Sequence, residues 1–235
     1  MTADPIRQIA NAVLYEGYLL WPYRASALKN QRPFTFGDLD PVERPAVRTQ
    51  CLLEGGDPSR VEVCARFLQD GVEREVGIGP LVSFDVERVA DGLHRLTVEV
   101  RCDAGVFHGT HAILRTPVGA FVSLTDPPER LRDAAAACVR EGLWPVLVGE
   151  PGSRDTLLAS PIILDNHPRI APESPGDLFD SGEIDGLLAL NIMSLTDAEK
   201  AEIRAGDPRA RAILERTESL SEEQLMRLYG FRVER

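Results

Sequence analysis

The sequence predicts an α+β protein whose main body is an antiparallel β-sheet, curled into a sandwich or an open barrel. After residue 45, apolar residues alternate with polar ones over several short segments, which is the two-residue period of a half-buried strand. Turn-forming Asp-Gly and Gly-Gly pairs separate these segments. A helical period of apolar residues occurs before the sheet, once after it and again in the C-terminal tail.

An amphipathic helix is predicted at the N-terminus. Asp4 followed by Pro5 is a typical helix start, because the Asp side chain accepts hydrogen bonds from free N–H groups and proline suits the first helical position. Apolar residues then recur at helical spacing on one face: Ile6, Ile9, Ala10, Val13 and Leu14. Gly17 is expected to end this helix.

Five segments are predicted as strands of the sheet. The alternation is clearest at 61–67 and 95–101, and further candidates are 81–86, 110–115 and 120–124. The turns between them are predicted at Gly55-Gly56, Asp70-Gly71, Asp91-Gly92 and Pro117-Val118-Gly119. We therefore expect an antiparallel sheet of about five strands.

A central helix is predicted over residues 130–142, where Asp126 and two prolines precede an alanine-rich segment that Gly142 closes. The apolar segments 144–148 and 156–164 are predicted as buried strands. Prolines and glycine between His167 and Phe179 exclude regular structure there. We divide the chain into an α+β domain, residues 1–164, and a Pro-rich linker with an acidic helical tail, residues 165–235.

The C-terminal tail is predicted to form short helices. Capping-box spacing pairs Asp180 with Glu183, Thr196 with Glu199 and Ser221 with Gln224, and Asp207-Pro208 supplies one more helix start. Four helices are therefore expected near 182–194, 197–205, 208–218 and 222–229.

Composition limits the partners and the location of the protein. A formal net charge of −11 argues against nucleic acid or an anionic membrane surface as the main partner. Four cysteines without a CxxC pair, Cys51, Cys64, Cys102 and Cys138, are typical of a reduced intracellular protein. The N-terminus lacks the pattern of a signal peptide, and no apolar run reaches the roughly 18 residues that span a bilayer. These features predict a cytoplasmic protein without membrane insertion, and they specify no oligomeric state.

The segment 17–37 concentrates aromatic and basic residues in this acidic chain. It carries five aromatic residues and three cations but no Asp or Glu, where an even distribution would place about three acids. Aromatic walls and Arg or Lys donors suit an anionic group or an acidic protein surface. The candidate binding residues are Tyr18, Tyr23, Arg24, Lys29, Asn30 and Arg32. In the alternative interpretation the aromatic residues belong to the core and the cations extend outward from it.

Histidines and catalytic motifs give no second site. His108 and His111 are three residues apart, which places their side chains on opposite faces of an extended segment, and no sequence rule brings His167 to them. They are expected to be surface or turn histidines, and no metal or cofactor is predicted. The P-loop, HExxH, GxSxG and paired CxxC motifs are missing from the sequence, which favours a protein that is not an enzyme.

Two segments carry a family resemblance: VLYEGYLLWPYRASALKNQRPFTFG at 13–37, and the stretch 169–230 that begins RIAPESPGDLF. They resemble an uncharacterised bacterial protein family associated with gene clusters for nickel-iron hydrogenases. The resemblance covers both ends of the chain well and the middle sheet loosely. It implies an accessory role in assembling or protecting a metalloenzyme, by docking on a hydrogenase subunit or a maturation factor, and it brings no catalytic residues.

The sequence is compatible with two functions. The favoured one is an accessory or interaction protein of a hydrogenase system, which binds its partner through the aromatic and basic N-terminal segment and the acidic tail. The alternative is an enzyme or binding protein for a small anionic molecule, held at the mouth of the sheet by Arg24, Lys29 and Arg32.

Overall fold

The computed structural model describes residues 4–15, 36–169 and 195–205, together with 211, 214, 215 and 217–219. The chain divides into two compact units. The first comprises Met1–Leu14 and Thr35–Pro168, and the second comprises Tyr15–Phe34 and Arg169–Arg235.

The first unit begins with helix α1, Pro5–Tyr15. The Asp4 carboxylate accepts a hydrogen bond from the Ile6 N–H at 3.0 Å, as its place before Pro5 predicted. Four of the five residues predicted for the apolar face are buried, Ile9, Ala10, Val13 and Leu14, and Ile6 packs against them from the edge. The predicted N-terminal helix is therefore confirmed.

Ten antiparallel strands follow α1 in the described part of the first unit. They are β1 (Ala46–Glu54), β2 (Glu62–Gln69), β3 (Val72–Gly77), β4 (Val82–Ala90), β5 (Leu93–Arg101), β6 (Phe107–Arg115), β7 (Ala120–Val122), β8 (Arg140–Glu141), β9 (Trp144–Leu147) and β10 (Thr156–Ser160). Sheet I has the order β4-β5-β1-β7, with β8 also paired to β1, and sheet II has the order β3-β2-β6-β10-β9. The predicted α+β fold class with a sandwich of antiparallel sheets is confirmed.

The number of strands differs from the prediction of one sheet with about five. The alternation signal missed β3, an edge strand with no buried side chain and charges on both faces. It also missed β8, which has two exposed residues. These two strands lack a buried face, so alternation does not detect them. The prediction also missed β1, which lies between β5 and β7 in sheet I. Its inward face includes the polar Thr49, and residues 51–53 are buried on both faces, which interrupts the alternation of apolar and polar residues.

The main core lies between the two sheets. Inward-facing residues of β1, β2, β5, β6 and β10 fill it, in the alternation expected for strands with one buried face. Phe67 of β2 stacks on Phe107 of β6, with ring centroids 3.9 Å apart and an interplanar angle of 11°. The aromatic pair therefore joins two neighbouring strands of sheet II inside the sandwich.

Each sheet also carries a helix on its outer face. Helix α1 lies on sheet II, where Ile9 and Val13 pack with Ile113 of β6 and Leu158 of β10. A short helix, α2 (Arg132–Ala136), is part of a third cluster with residues from the outer face of sheet I. The sandwich is thus covered on both sides by apolar helix contacts.

The predicted central helix is much shorter than expected. A 3₁₀ turn, Glu129–Leu131, precedes α2, which has five residues. The chain then turns toward sheet I, where the Val139 carbonyl accepts a hydrogen bond from the Gln50 N–H at 2.8 Å. Pairing with β1 therefore replaces the last part of the predicted helix, because a tertiary contact outweighs the helix preference of an alanine run.

The described part of the second unit contains helix α3, Asp197–Ala205. Thr196 and Glu199 form the predicted capping box, with the Thr196 N–H 2.9 Å from the Glu199 carboxylate and the Glu199 N–H 3.3 Å from the Thr196 hydroxyl. Residues 211, 214, 215, 217 and 218 are also helical, within the helix expected at 208–218. The helices expected near 182–194 and 222–229 lie outside the described residues.

None of the helices in the described ranges combines the length and the apolar composition that crossing a membrane requires.

Replacing Gly109 of β6 by alanine should weaken the packing of α1 on sheet II. Gly109 has φ +62°, and a Cβ there would lie 2.2 Å from the Leu14 carbonyl oxygen. We expect Gly109→Ala to lower the free energy of unfolding by roughly 2 to 4 kcal/mol, from the left-handed backbone plus the displacement of the helix. Chemical denaturation measures this change.

Gly92→Ala is the matched control for that variant. Gly92 has φ +65°, and a Cβ there would meet nothing within 4 Å. Only the backbone penalty of about 1 kcal/mol should remain. Equal losses in the two variants would contradict the close approach of α1 to Gly109.

Candidate functional site

All six candidate binding residues of the aromatic and basic segment lie outside the described residues. They are Tyr18, Tyr23, Arg24, Lys29, Asn30 and Arg32. Their role as a binding surface stays a prediction.

Leu14 and Phe36, which flank residues 15–35 and so most of that segment, meet at one point of the first unit. The Gly109 N–H donates to the Phe36 carbonyl at 3.0 Å, and the missing side chain of Gly109 lets the Leu14 carbonyl approach closely. Leu39 then pairs with Phe107 at the start of β6 through two backbone hydrogen bonds of 2.9 Å. The chain therefore leaves sheet II after Leu14 and returns to it at Phe36, beside the same glycine.

The three candidate histidines have different partners. His108 contacts the Asp38 carboxylate at 3.1 Å. His111 bonds to the Gly109 carbonyl at 2.8 Å. His167 lies near the Gly149 carbonyl and accepts from the Gly152 N–H at 3.4 Å. In the described ranges, no three His, Cys, Asp or Glu side chains come together in a way that would hold a metal ion.

The expectation of surface or turn histidines is wrong for His111. This side chain is completely buried on the outer face of β6, opposite Arg66 of β2. Helix α1 covers that face of sheet II. The sequence gives no direct sign of this burial, because it depends on where a distant helix packs.

Arg66 is the centre of a buried polar cluster between α1 and sheet II. Its side chain is 3% exposed. One guanidinium nitrogen donates to the Asn11 side-chain oxygen in α1 at 2.8 Å. The same nitrogen lies 3.5 Å from the Glu73 carboxylate, and Nε lies 3.6 Å from the Glu75 carboxylate. Arg66 therefore joins β2 to the helix and to β3.

The charges of this cluster cancel. Glu75 also pairs with Arg7 of α1 at 3.2 Å, so two guanidinium groups face the carboxylates of Glu73 and Glu75. Both carboxylates are about half exposed, which allows water to solvate them while the buried cation keeps its contacts. The cluster carries no surplus positive charge that would attract an anion.

His111 is neutral in this cluster. Burial lowers the pKa of His111 to about 4; the hydrogen bond to Gly109 opposes the shift and the charge on Arg66 adds to it. Because a carbonyl can only accept, Nδ1 carries the proton and Nε2 has the free lone pair. Nε2 and the second terminal nitrogen of Arg66 are buried without a hydrogen-bond partner within the described part of the chain.

This geometry favours a structural role for the cluster over acid-base catalysis. A general base works best with a pKa near the working pH, and the lowered pKa of His111 makes it a weak base at neutral pH. Asn11 and Arg66 instead connect helix to sheet by a charge-assisted hydrogen bond, which is stronger than a neutral one. The cluster therefore supports the position of α1 and the root of the segment that follows it.

The thiols are also held in an unreactive form. Burial raises the pKa of the Cys64 thiol to about 11, with the charge on Glu75 adding to the shift. Burial raises the pKa of Cys51, Cys102 and Cys138 as well, and at Cys138 the neighbouring Arg95 opposes the change. Because the thiolate is the nucleophile and the metal ligand, these four thiols are poor at both roles at neutral pH.

In comparisons with models of known protein families, with curated proteins and with solved structures, no match to this chain is found.

Stability should depend on pH through His111. Folding favours its neutral form, so this contribution is complete above the unfolded-state pKa of about 6.5 and is lost as the pH falls toward 4. Between pH 7.5 and 5.5 we expect the free energy of unfolding to fall by roughly 1 to 1.5 kcal/mol from this group alone. Denaturant titrations at both pH values, above the pI near 4.9, measure the loss.

The His111→Gln variant isolates that contribution, because glutamine keeps a donor and does not titrate. Its free energy of unfolding should change by about 1 kcal/mol less than that of the wild type over the same interval. Identical changes in the two proteins would show that His111 is not held neutral.

Proposed function

We propose that this protein is an accessory protein that acts by binding another protein, and that its partner is a subunit or a maturation factor of a nickel-iron hydrogenase. One observation carries the first part of the proposal: the segment between Leu14 and Phe36 begins and ends beside Gly109. The family resemblance of 13–37 and 169–230 supports the second part.

The length and composition of this connection support a role in recognition. It spans 15–35, and connections longer than about 12 to 15 residues in compact domains are commonly functional. It brings five aromatic residues, three cations and a single acid, Glu16, in a chain of net charge −11. Aromatic residues and arginine are the side chains most enriched at the energetic centres of protein interfaces.

The anchored ends of the segment are also consistent with binding. Arg66 and Asn11 hold the last turns of α1 on sheet II, and paired backbone bonds hold Leu39 on β6. Anchoring both ends reduces the conformational entropy that the segment must lose when it binds. The unreactive state of His111 and of the thiols supports a partner-binding role rather than a catalytic one.

We expect Tyr18, Tyr23, Arg24, Lys29, Asn30 and Arg32 to form the contact with the partner. Arg24 and Arg32 are the residues to test, because guanidinium groups bind carboxylates in two-point geometry. The acidic tail, residues 165–235, would supply a second contact of opposite charge.

Removing the two arginines should weaken partner binding while the fold persists. We expect the tagged wild-type protein to enrich hydrogenase subunits or maturation factors from its native host. Arg24→Ala/Arg32→Ala should reduce that enrichment at least about tenfold, which corresponds to about 1.4 kcal/mol. Its melting temperature should stay within about 3 °C of wild type, as for surface substitutions.

Arg60→Ala/Arg132→Ala is the matched control, because it removes two exposed arginines elsewhere. It should retain full enrichment. A wild-type pulldown without hydrogenase components would overturn the choice of partner. A melting-temperature increase with phosphates, nucleotides or carboxylates, worth about 2.7 kcal/mol at 100 times the dissociation constant, would instead favour the anionic-ligand alternative.

A further inference from the structure

The outer edge of sheet I is formed by a long, exposed strand. Strand β4 ends the sheet on one side, and it pairs only with β5 among the described strands. The strand is nine residues long, and most of its side chains are exposed. An edge strand of this length offers its main chain to another strand unless something covers it or disfavours pairing.

The register shows which backbone groups face the free edge. The Arg101 N–H donates to the Leu81 carbonyl at 2.8 Å, and Val82 lies opposite Val100. Backbone groups of successive residues point to opposite edges of a strand, so the odd-numbered residues of β4 address β5. Val82 agrees with this, because its N–H and C=O bond to Gly79 on the outer side.

Three residues of β4 therefore present N–H and C=O groups to the edge. They are Phe84, Val86 and Arg88, which precede the bulge near the end of the strand. Among the described strands, β4 pairs only with β5, so no strand occupies the outward N–H and C=O groups of these three. Phe84 lies partly buried at the margin of the main core, and Val86 is 44% exposed beside it.

The two faces of β4 differ in chemistry. Phe84 and Val86 point to the core side of sheet I, since Val82 before them is part of that core. Asp85 and Glu87 alternate with them and point to the outer side, where both are exposed. Glu87 bonds to Arg95 on β5, whereas no cation within the described residues pairs with Asp85.

The edge strand β3 is a weaker candidate. Its outward carboxylates, Glu73 and Glu75, already bind Arg66 and Arg7. A strand added beside β3 would compete with the contacts that hold α1. Within the described residues, no ion pair joins the outward acids of β4 to a helix, and Glu87 pairs with Arg95 of β5.

A second copy of the chain is a poor occupant of the β4 edge. A symmetric antiparallel pair centred on Val86 places Asp85 opposite Glu87 twice. Centring it on Asp85 or on Glu87 places two identical acids opposite each other. These are the registers that pair at least two of the three edge-facing residues, and like charges directly opposite destabilise each of them.

We propose that the β4 edge binds an extended segment of a partner protein in which basic residues alternate with apolar ones. The segment adds to sheet I as an antiparallel strand. Its apolar residues lie opposite Phe84 and Val86 and exchange main-chain hydrogen bonds with them, while its basic residues lie opposite Asp85 and Glu87. This deepens the proposed function, because it names how one part of a protein partner is held.

A peptide with the required pattern tests the site. The probe is a fluorescein-labelled nine-residue peptide of alternating valine and arginine, titrated with the full-length protein and followed by fluorescence anisotropy. A peptide of the same composition with its valines in one block is the control for general attraction to an acidic protein. We expect at least about tenfold tighter binding of the alternating peptide, since only it matches both faces of β4.

Backbone methylation tests the geometry. Residues opposite Phe84 and Val86 donate their N–H groups to β4, whereas the residues between them point their N–H groups away. Methylating the valine nitrogens should therefore abolish binding, and methylating the arginine nitrogens should leave it within about threefold, since no hydrogen bond is lost. The opposite result would overturn the register.

Charge reversal tests the location. Asp85→Lys should weaken binding by about tenfold, because an attraction becomes a repulsion. Glu150→Lys makes the same change of charge at an exposed turn and should have little effect. Equal effects of the two variants, or equal binding of the two peptides, would overturn the proposal.

Sedimentation tests whether a second copy of the chain occupies the β4 edge. Together with the pulldown, the peptide titration distinguishes failure of the β4 site from failure of the proposed partner. A dimer that the alternating peptide dissociates would identify a second copy as the occupant and overturn this inference. Peptide binding without hydrogenase components in the pulldown would overturn the choice of partner alone. Hydrogenase components in the pulldown without peptide binding would overturn the β4 site alone.

Discussion

The contact between α1 and the outer face of sheet II is the constraint on which the rest of the first unit depends. Apolar residues of the helix cover Ile113 and Leu158, and Arg66 fixes the helix laterally through Asn11. Gly109 lets the end of the helix approach the backbone of β6. The N–H of the same glycine donates to the Phe36 carbonyl, so the residues that flank 15–35 both lie beside Gly109.

Burying an arginine beneath a helix costs free energy unless its N–H groups find hydrogen-bond acceptors. The desolvation of a guanidinium group amounts to several kcal/mol, and removal of one partner of such a pair costs about 3 to 5 kcal/mol. Here Glu73 and Glu75 balance the charge, and His111 stays neutral beside it. A protonated His111 would place a second cation against Arg66. Burial is the main cause of the low pKa of the imidazole, and the charge on Arg66, which also holds the helix through Asn11, adds to it.

The sequence predicted those parts of the fold whose signals are local. The Asp4-Pro5 start of α1 and the capping box at Thr196 are made by residues within one turn, and both are present. The sandwich of antiparallel sheets follows from alternation and turns. The Arg66 cluster was not predicted, because it requires the β2–β6 register and the placement of α1. The alanine run after Leu131 shows the same limit, since pairing with β1 ends its helix early.

The acids on the outer faces of the two sheets differ in whether they form ion pairs, and we assign them different roles for that reason. On sheet II the outward acids of β3 contact Arg66 and Arg7, so changing them would weaken the contact between α1 and the sheet. On sheet I, Asp85 contributes to no described ion pair, yet it lies between two residues whose main chain faces the edge. An acid in this position disfavours pairing of two copies, because it would lie opposite another acid and the two negative charges would repel each other. A basic residue of a partner strand would be attracted to the same carboxylate. One side chain, Asp85, therefore both limits self-association and favours a partner of positive charge.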